Sequence, residues 1–383
     1  MNIMIIAGEP SGDLHGARLA KALKERRPEI RLSGMGGPQM HSAGVNLIFD
    51  PTKLSTIGFL EAFKSIQVLR KVMLKIANAI RQQKPDAVVF IDYPGFNMRL
   101  ARMVKAEDIP MVYYFSPSAW AWGKSRAEKV AHTVTKIASV FPFEAEVYQQ
   151  AGADVTFVGH PLLDIVKPSM PPKAVRESLG LSPDELVVGL LPGSRRQEIE
   201  TLFPDMLQAA KLIKEKVPKA RFILPRAGSI DTESIQKRLD SVGVEVLLVE
   251  GRTYDVISVS QAVIAASGTV TLEAAVLGTP MVIIYKVATS TYLLAKMLIR
   301  IPHVGLPNII LGRMAMPEYL QHDVKPEIIA KDIICMLTDQ AYVTSLKADL
   351  AEVVKRLGNP GAVGRTADLV LAVAENNRLR KQV

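Results

Sequence analysis

At 383 residues, 48% of them hydrophobic, the chain is too long for one ordinary core and fits two domains of about 150 to 200 residues each. The one cysteine, Cys335, lies in the apolar stretch DIICML, which excludes a disulfide framework and a thiolate metal centre and leaves a core thiol as the reading. The formal net charge of +9 admits nucleic acid, an anionic surface or phosphorylated ligands, and it is unevenly placed: residues 52–84 carry +6 and residues 286–303 carry +3, together the whole excess.

The opening MNIMIIAGEPSG has no basic segment before its apolar run and no small-residue cleavage site, so NIMIIA reads as a first strand rather than a signal peptide. No apolar run approaches the roughly 18 to 20 residues of a spanning helix, which predicts a soluble, cytoplasmic protein with a membrane surface still within reach. AGEPSGDLHGARLAKAL follows, with Gly8, Gly12 and Gly16 spaced four apart rather than as the G-x-G-x-x-G that closes on a pyrophosphate. Glu9 and Asp13 inside it would repel a diphosphate, so this loop needs another occupant. In residues 56–83, Phe59, Phe63, Ile66, Leu69, Met73, Ile76 and Ile80 recur at helical spacing, with Lys64, Lys71 and Lys75 on another face. A basic amphipathic helix on an anionic bilayer and an ordinary core-facing helix fit that periodicity equally well.

Strand-like runs then alternate with helical stretches: AVVFID, MVYYFS, IASVFPF and VTFVG, and after them LVVGLLPGS, ARFILPR, VEVLLVE, AVIAASG and MVIIYK. Near-continuous apolar strands separated by helices signal parallel sheets covered on both faces, and two such series predict an α/β protein of two Rossmann-like, doubly wound domains. Five prolines in residues 160–185 mark a stiff boundary. The expected domains are 1–164 and 165–345, followed by a helical tail, 346–383, packing back toward the first domain.

Three strand ends carry candidate chemistry. In FIDYPGFN, Asp92 follows an apolar strand directly, where a carboxylate can act as a general base or cap the next helix. In LLPGSRRQEIETLF, Gly193, Ser194 and Arg195 form a turn into a helix, suited to a phosphate or simply to helix capping. In AASGTVTLEAAVLGTP, Ser267, Gly268 and Thr269 form a second such turn, and Glu273, one helical turn beyond Thr269, can accept both hydroxyls of a ribose diol or merely complement the helix dipole. Trp120 and Trp122 in SPSAWAWGK are suited equally to packing on acyl chains or sugar rings of a ligand or to interior packing. His15 and His160 admit structural or chemical roles. Neither an H-E-x-x-H nor an Asp-x-Asp occurs, so no metal-ligand spacing is offered and neither metal nor cofactor is expected.

SGT-x-x-LE followed by GTP, in the second of two such domains, is similar to the donor half of GT-B glycosyltransferases. Ten ordered segments extend the likeness: AGEPSGDLHGA, GMGGPQM, FIDYPGFN, YYFSPSAWAWG, FPFEAEVY, FVGHPLLD, LLPGSRRQEIE, ASGTVTLEA, GLPNIILGR and GNPGAVGRTADLVL. On these the chain resembles the lipid A disaccharide synthase family from end to end. The resemblance implies two domains facing across a cleft and transfer, with inversion, of sugar from UDP-2,3-diacylglucosamine to the 6-hydroxyl of 2,3-diacylglucosamine 1-phosphate. It implies donor binding by the second domain through Gly193, Ser194, Arg195, Ser267, Gly268, Thr269, Glu273 and Asn308, with Asp92 as the base. Glu9, Ser11, Gly12 and His15 then face the acceptor, and Phe59, Phe63, Lys64, Lys71 and Lys75 the anionic surface of a Gram-negative inner membrane, on its cytoplasmic side. A nucleotide-sugar epimerase of the same fold is the alternative reading, and a homodimer stays open. Nothing in the sequence offers a nucleic-acid recognition motif or aromatic platform.

Overall fold

The computed structural model describes residues 1–51, 62–118, 124–226, 235–236, 238–239, 242–287 and 302–382, and the chain divides into two compact units, Met1–Pro161 with Gly358–Val383, and Leu162–Leu357. In chain order unit 1 runs β1 (Asn2–Ala7), α1 (Pro10–Arg26), β2 (Arg31–Met35), α2 (Pro38–Ser42), β3 (Asn46–Phe49), α3 (Ala62–Gln83), β4 (Ala87–Ile91), α4 (Pro94–Lys105), β5 (Met111–Tyr114), α5 (Lys124–Ala131), β6 (Lys136–Ser139), α6 (Pro142–Gln150) and β7 (Val155–Phe157). Unit 2 holds α7 (Leu162–Ile165), α8 (Pro172–Ser178), β8 (Leu186–Leu191), α9 (Arg196–Lys216), β9 (Ala220–Arg226), β10 (Val246–Glu250), α10 (Thr253–Val259), β11 (Ala262–Ala266), α11 (Thr269–Val276), β12 (Met281–Tyr285), α12 (Leu306–Leu311), β13 (Glu318–Leu320), α13 (Pro326–Thr338) and α14 (Gln340–Arg356). The last helix, α15 (Ala362–Arg380), belongs to unit 1.

Among the described residues the strands form a seven-stranded sheet in the order β3-β2-β1-β4-β5-β6-β7 and a six-stranded sheet in the order β10-β9-β8-β11-β12-β13, parallel at every pairing. The two doubly wound sheets have the GT-B architecture. Strand β1 shows why its run is nearly all apolar. Ile3, Ile5 and Ala7 enter a core shared with α1 and α15, while Met4 and Ile6 enter the core on the opposite face, shared with α3, α4 and α5. Period-two alternation thus sends apolar side chains both ways, each large aliphatic contributing about 1.5 to 3 kcal/mol on burial. The short strands β2, β3 and β13 lie outside the strand runs read from sequence.

Helix α15 presents Ala367, Val370, Leu371 and Ala374 at helical spacing to the α1 side of the sheet. Its outer face pairs Asp368 with Arg26 and Glu375 with Arg27, and Asn377 Nδ2 donates to the Asp86 carbonyl at 2.9 Å. Of the segment 346–383, then, α15 packs within unit 1 and α14 within unit 2. Cys335, on α13, is half-buried rather than enclosed.

On α3, Val72, Ile76, Ala77 and Ile80 are buried against the sheet and Leu69 and Met73 pack beside them, so over its described side chains the apolar stripe is a core face. That corrects the membrane reading of this stripe: Lys71 and Lys75 are exposed, but the apolar residue between them at the surface is Leu74, 48% exposed. Phe59 and the side chains of Phe63 and Lys64 lie outside the described residues, as do Trp120, Trp122, Lys296 and Arg300. No helix among the described residues is long and apolar enough to cross a membrane.

In each sheet the strand order reverses beside the first strand of the series: β1 lies between β2 and β4, and β8 between β9 and β11. Ligands of open parallel sheets bind outside the carboxyl ends of the strands at such switch points. The registers Ala7 with Ile91 and Leu191 with Ala265 bring Gly8 beside Asp92 in unit 1, and the Gly193 turn beside the Ser267 turn in unit 2.

Candidate active site

The glycines of the first loop serve packing. A Cβ on Gly8 would fall 2.0 Å from Tyr93 Cδ1, one on Gly16 2.5 Å from Met40 Sδ, and one on Gly12 3.2 Å from Ala7 Cβ. Gly12 is buried, which corrects its assignment as an acceptor contact: it lets α1 lie close to the sheet. Asp13 is 2% exposed; one carboxylate oxygen accepts from Gly37 N at 2.7 Å and Met40 N at 2.9 Å, the other from Gln39 N at 3.0 Å. That carboxylate caps α2, and proton transfer from substrate is not its work. Glu9 and Ser11 remain exposed at the start of α1.

His15 lies against Phe115, ring centroids 4.1 Å apart, and His160 against Phe141 at 4.9 Å. Burial, reinforced by Arg18, lowers His15 to about 4; burial, reinforced by His15, lowers His160 to about 3. Both are neutral imidazoles at neutral pH, unable to supply a fixed cation.

Asp92 and Tyr93 both lie in the left-handed region, φ 48° and 49°, between β4 and α4. Such a pair is strained, and the surroundings hold it: the Asp92 carbonyl accepts from Asn97 Nδ2 at 2.7 Å and from the Tyr113 hydroxyl at 2.8 Å. Burial raises the Asp92 carboxyl above its ordinary range, opposed by the Tyr93 backbone N–H donating to it. A carboxylate held half-buried on a rigid turn, with elevated proton affinity, has the properties of a general base.

Close to Asp92 lies an acid that sequence reasoning passed over. Glu144, in the first turn of α6, is 3% exposed and accepts from Ser139 Oγ at 2.9 Å. Burial pushes it up to about 8, with the Asp92 charge adding to the rise. Its sequence signal, a glutamate in FPFEAEVY after an apolar strand, is indistinguishable from an ordinary first-turn acid.

In unit 2 the two predicted turns meet. Gly193, Ser194, Arg195, Ser267, Gly268, Thr269 and Glu273 all line one cavity of about 380 Å³ at the amino ends of α9 and α11. Gly193 has φ 101°, which favours glycine, and a Cβ there would also crowd Glu198, whose Cβ would lie 3.1 Å away. Glu198 accepts from Arg195 N at 3.3 Å and pairs with its guanidinium at 3.0 Å; the Arg195 side chain is 81% exposed, open to an anion. Ser267 Oγ donates to the Val304 carbonyl at 2.9 Å. Burial raises the half-buried Glu273, which the Tyr254 hydroxyl approaches at 3.4 Å. Glu273 and Thr253 also line a neighbouring cavity of about 440 Å³, so this carboxylate stands where the two adjoin. Two helix N-termini, an arginine and a carboxylate are what a sugar-linked diphosphate with a ribose diol would meet.

Asn308 lies outside that cavity. It is fully buried: Nδ2 donates to Met316 O at 2.9 Å and Glu318 Oε2 at 3.1 Å, while Oδ1 accepts from Ala315 N and Met316 N at 2.9 and 2.8 Å. Its assignment as a donor contact is therefore corrected to support. Glu318 in turn accepts from Val304 N at 2.9 Å and Gly305 N at 2.7 Å, fixing the carbonyl that orients Ser267.

The fold is shared with solved structures at low identity. The UDP-N-acetylglucosamine 2-epimerase from Neisseria meningitidis bound to UDP-GlcNAc is 11% identical with a TM-score of 0.65, covering 97% of this chain and all of its own. The MurG of Acinetobacter baumannii is 15% identical with a TM-score of 0.61, covering 97% and 99%. Sequence relatives are far nearer. A lipid-A-disaccharide synthase from Geobacter sulfurreducens is 43% identical over 369 residues, 96% of each chain, and one from Coxiella burnetii is 39% identical over 369 residues, 96% of this chain and 97% of its own. The model of the lipid-A-disaccharide synthetase family matches residues 3–373, spanning both sheets, both strand-end turns and most of α15. On sequence over nearly its whole length, and on a fold of the matching kind, the chain belongs to the lipid-A-disaccharide synthetase family.

Proposed function

We propose that this protein is an inverting glycosyltransferase that joins UDP-2,3-diacylglucosamine to 2,3-diacylglucosamine 1-phosphate, giving the β-1,6-linked disaccharide 1-phosphate and UDP. The observation that carries the reading is the family match from residue 3 to residue 373. Epimerases share the fold at 11 to 15% identity, which speaks for architecture only.

Unit 2 takes the donor. The N-termini of α9 and α11, with Arg195, hold the diphosphate and stabilise the charge it gains on leaving, while Glu273 accepts from the ribose hydroxyls. Unit 1 supplies the base: Asp92 takes the proton of the acceptor's 6-hydroxyl as that oxygen attacks the anomeric carbon from the face opposite UDP, and the C–O bond to the diphosphate breaks. Helix termini and arginine do the neutralising, so turnover needs no divalent metal. Peripheral attachment to the cytoplasmic face of the inner membrane, through the basic surface of α3, brings the enzyme to substrates that carry acyl chains.

The test is incubation with the two diacylated sugars, following disaccharide phosphate and UDP by mass. Stoichiometric formation of both is the expected result. Conversion of UDP-N-acetylglucosamine to its 2-epimer, with no disaccharide from the acylated pair, would replace this reading with the epimerase.

A further inference from the structure

The turn that carries Asp92 breaks a local rule twice in succession. Asp92 and Tyr93 both have positive φ, 48° and 49°, although neither is glycine and Gly95 stands only two positions further on. A carboxylate and a ring are kept where glycine would be unstrained, and such strain persists only where the surroundings over-determine it. Both ends of the turn are held. At its entry the Asp92 N–H donates to the Tyr114 carbonyl at 3.2 Å, extending the pairing of β4 with β5. At its exit the Tyr93 carbonyl accepts from Phe96 N at 3.2 Å and Asn97 N at 3.0 Å, which starts α4. The Tyr93 ring lies 5.7 Å from that of Phe96 and fills the space that a Cβ on Gly8 would take.

Between entry and exit one peptide group remains, and two side chains from different elements fix it. Tyr113, on β5, and Asn97, on α4, are both fully buried. The Tyr113 hydroxyl donates to the Asp92 carbonyl at 2.8 Å and Asn97 Nδ2 donates to the same oxygen at 2.7 Å, with Nδ2 also 3.3 Å from the Ile91 carbonyl. A trans peptide is planar and rigid, its N–H opposite its C=O. Holding the Asp92 carbonyl inward from two sides therefore turns the Tyr93 N–H the other way, where it meets the Asp92 carboxyl. If that peptide flipped, a carbonyl oxygen would face the carboxylate in place of the N–H and repel it.

Resting on the function proposed above, we propose that Tyr113 and Asn97 are positioning residues for the transfer: by fixing the peptide between Asp92 and Tyr93 they set the direction of the carboxylate that takes the acceptor's proton. Fully buried, they act through Asp92 rather than on the substrate. A base must be held close to its working position, and misplacement by about 1 Å costs on the order of 10²-fold in rate.

The experiment is a double-mutant cycle on the whole chain under single-turnover conditions, pairing Tyr113→Phe with Asp92→Asn. Tyr113→Phe removes one hydroxyl and keeps the ring in its core, so it should fold and bind UDP as wild type does. Its rate of disaccharide formation should fall about 10- to 10²-fold, with the sugar concentrations for half-maximal rate little changed. In Asp92→Asn, where no base remains to be aimed, the same substitution should change the residual rate less than about twofold. Asn97→Ala should repeat the pattern; if it does not fold, Tyr113→Phe decides alone. Loss by the same factor in both backgrounds would make the hydroxyl merely structural and overturn the inference. So would a wild-type rate in Tyr113→Phe or in folded Asn97→Ala, or a fall in UDP affinity that accounts for the loss. Asp92→Asn turning over like wild type would defeat the base, and this inference with it, while leaving disaccharide formation intact. Wild type yielding no disaccharide would defeat the function on which both rest.

Discussion

Asp92 sits where burial and backbone work in opposite directions: desolvation raises its proton affinity and the Tyr93 amide lowers it, with burial the larger influence. Asp92→Asn keeps the shape and the hydrogen bonds to the main chain at that turn, so it should fold normally and bind UDP as before, while turnover falls about 10² to 10⁴-fold. Because the base must be ionised, the acid limb of kcat/KM in wild type should lie above the ordinary aspartate range, and a pH profile of the residual activity of the asparagine variant should lack that limb. Near-wild-type turnover with chemistry rate-limiting would move the base elsewhere, and Asp13, engaged by three backbone amides, is a poor substitute. Glu144 makes a separate prediction. Its folded value of about 8 exceeds the ordinary 4.5, so between those pH values the folded chain keeps a proton that the unfolded chain has released, and stability falls as pH rises through the window. Glu144→Gln retains an acceptor for Ser139 without a charge to bury. Its unfolding free energy, measured by denaturant titration, should exceed that of wild type above about pH 8, by an amount on the order of a few kcal/mol, with the two curves converging near the ordinary value. Parallel curves at all pH values would show that burial of this charge is not what limits stability there.

The strand–turn–helix unit recurs at each place where chemistry is expected, and its parts differ in how plainly sequence announces them. The turns after β8 and β11 are defined by residues that need no distant partner: a glycine at φ 101°, small hydroxyl residues and the first turn of a helix. Glu273→Ala and Arg195→Ala should each weaken UDP binding by roughly 1.5 to 3 kcal/mol, measured by calorimetry on the folded variants. Unchanged affinity in both would remove this cavity as the nucleotide site. Asn308→Ala should behave otherwise. It strands the amides of Ala315 and Met316 inside the protein and removes one donor from Glu318, so loss of stability, on the order of 3 kcal/mol, should precede any direct effect on the nucleotide. The same distinction governs what was legible. Long apolar strands such as AVVFI and AVIAA declare two buried faces, so the parallel sheets could be read directly. The three-residue β13 and the glycine-containing β2 carry too short a run to stand apart from loop. Asp13 stood in a segment where a polar side chain has the same signature whether it meets a ligand or a neighbouring backbone, and Asn308 was assigned to the donor by resemblance alone. Only the fold, which brings α2 to Asp13 and β13 to Asn308, separates the two.

At the scale of the whole molecule, the proposed chemistry is divided between two units, and the excess charge lies in two segments, the larger share in residues 52–84. If, as proposed, two helix N-termini and Arg195 stabilise the leaving diphosphate, chelators should leave wild-type turnover intact; loss of activity with EDTA, restored by a divalent ion, would show that protein charge is insufficient. The charge itself has a different use. Residues 52–84 carry +6, yet over the described part of α3 the apolar stripe is sealed against the sheet, so attachment to a bilayer there cannot rest on burying that stripe. The surface of that helix carries Arg70, Lys71 and Lys75 about a single exposed leucine, Leu74, with Lys75 Nζ also donating to the Ile48 carbonyl at 3.0 Å. Attraction to an anionic leaflet is worth about 1 kcal/mol per basic residue near the surface and is screened by salt, whereas one leucine adds little. Association should therefore be mainly electrostatic: Lys71→Glu/Lys75→Glu should reduce cosedimentation with phosphatidylglycerol vesicles at low salt and flatten its dependence on salt, while Leu74→Ser should change it far less. If the leucine substitution releases the protein and the charge reversals do not, apolar insertion governs attachment and the concentration of charge in this segment has another purpose.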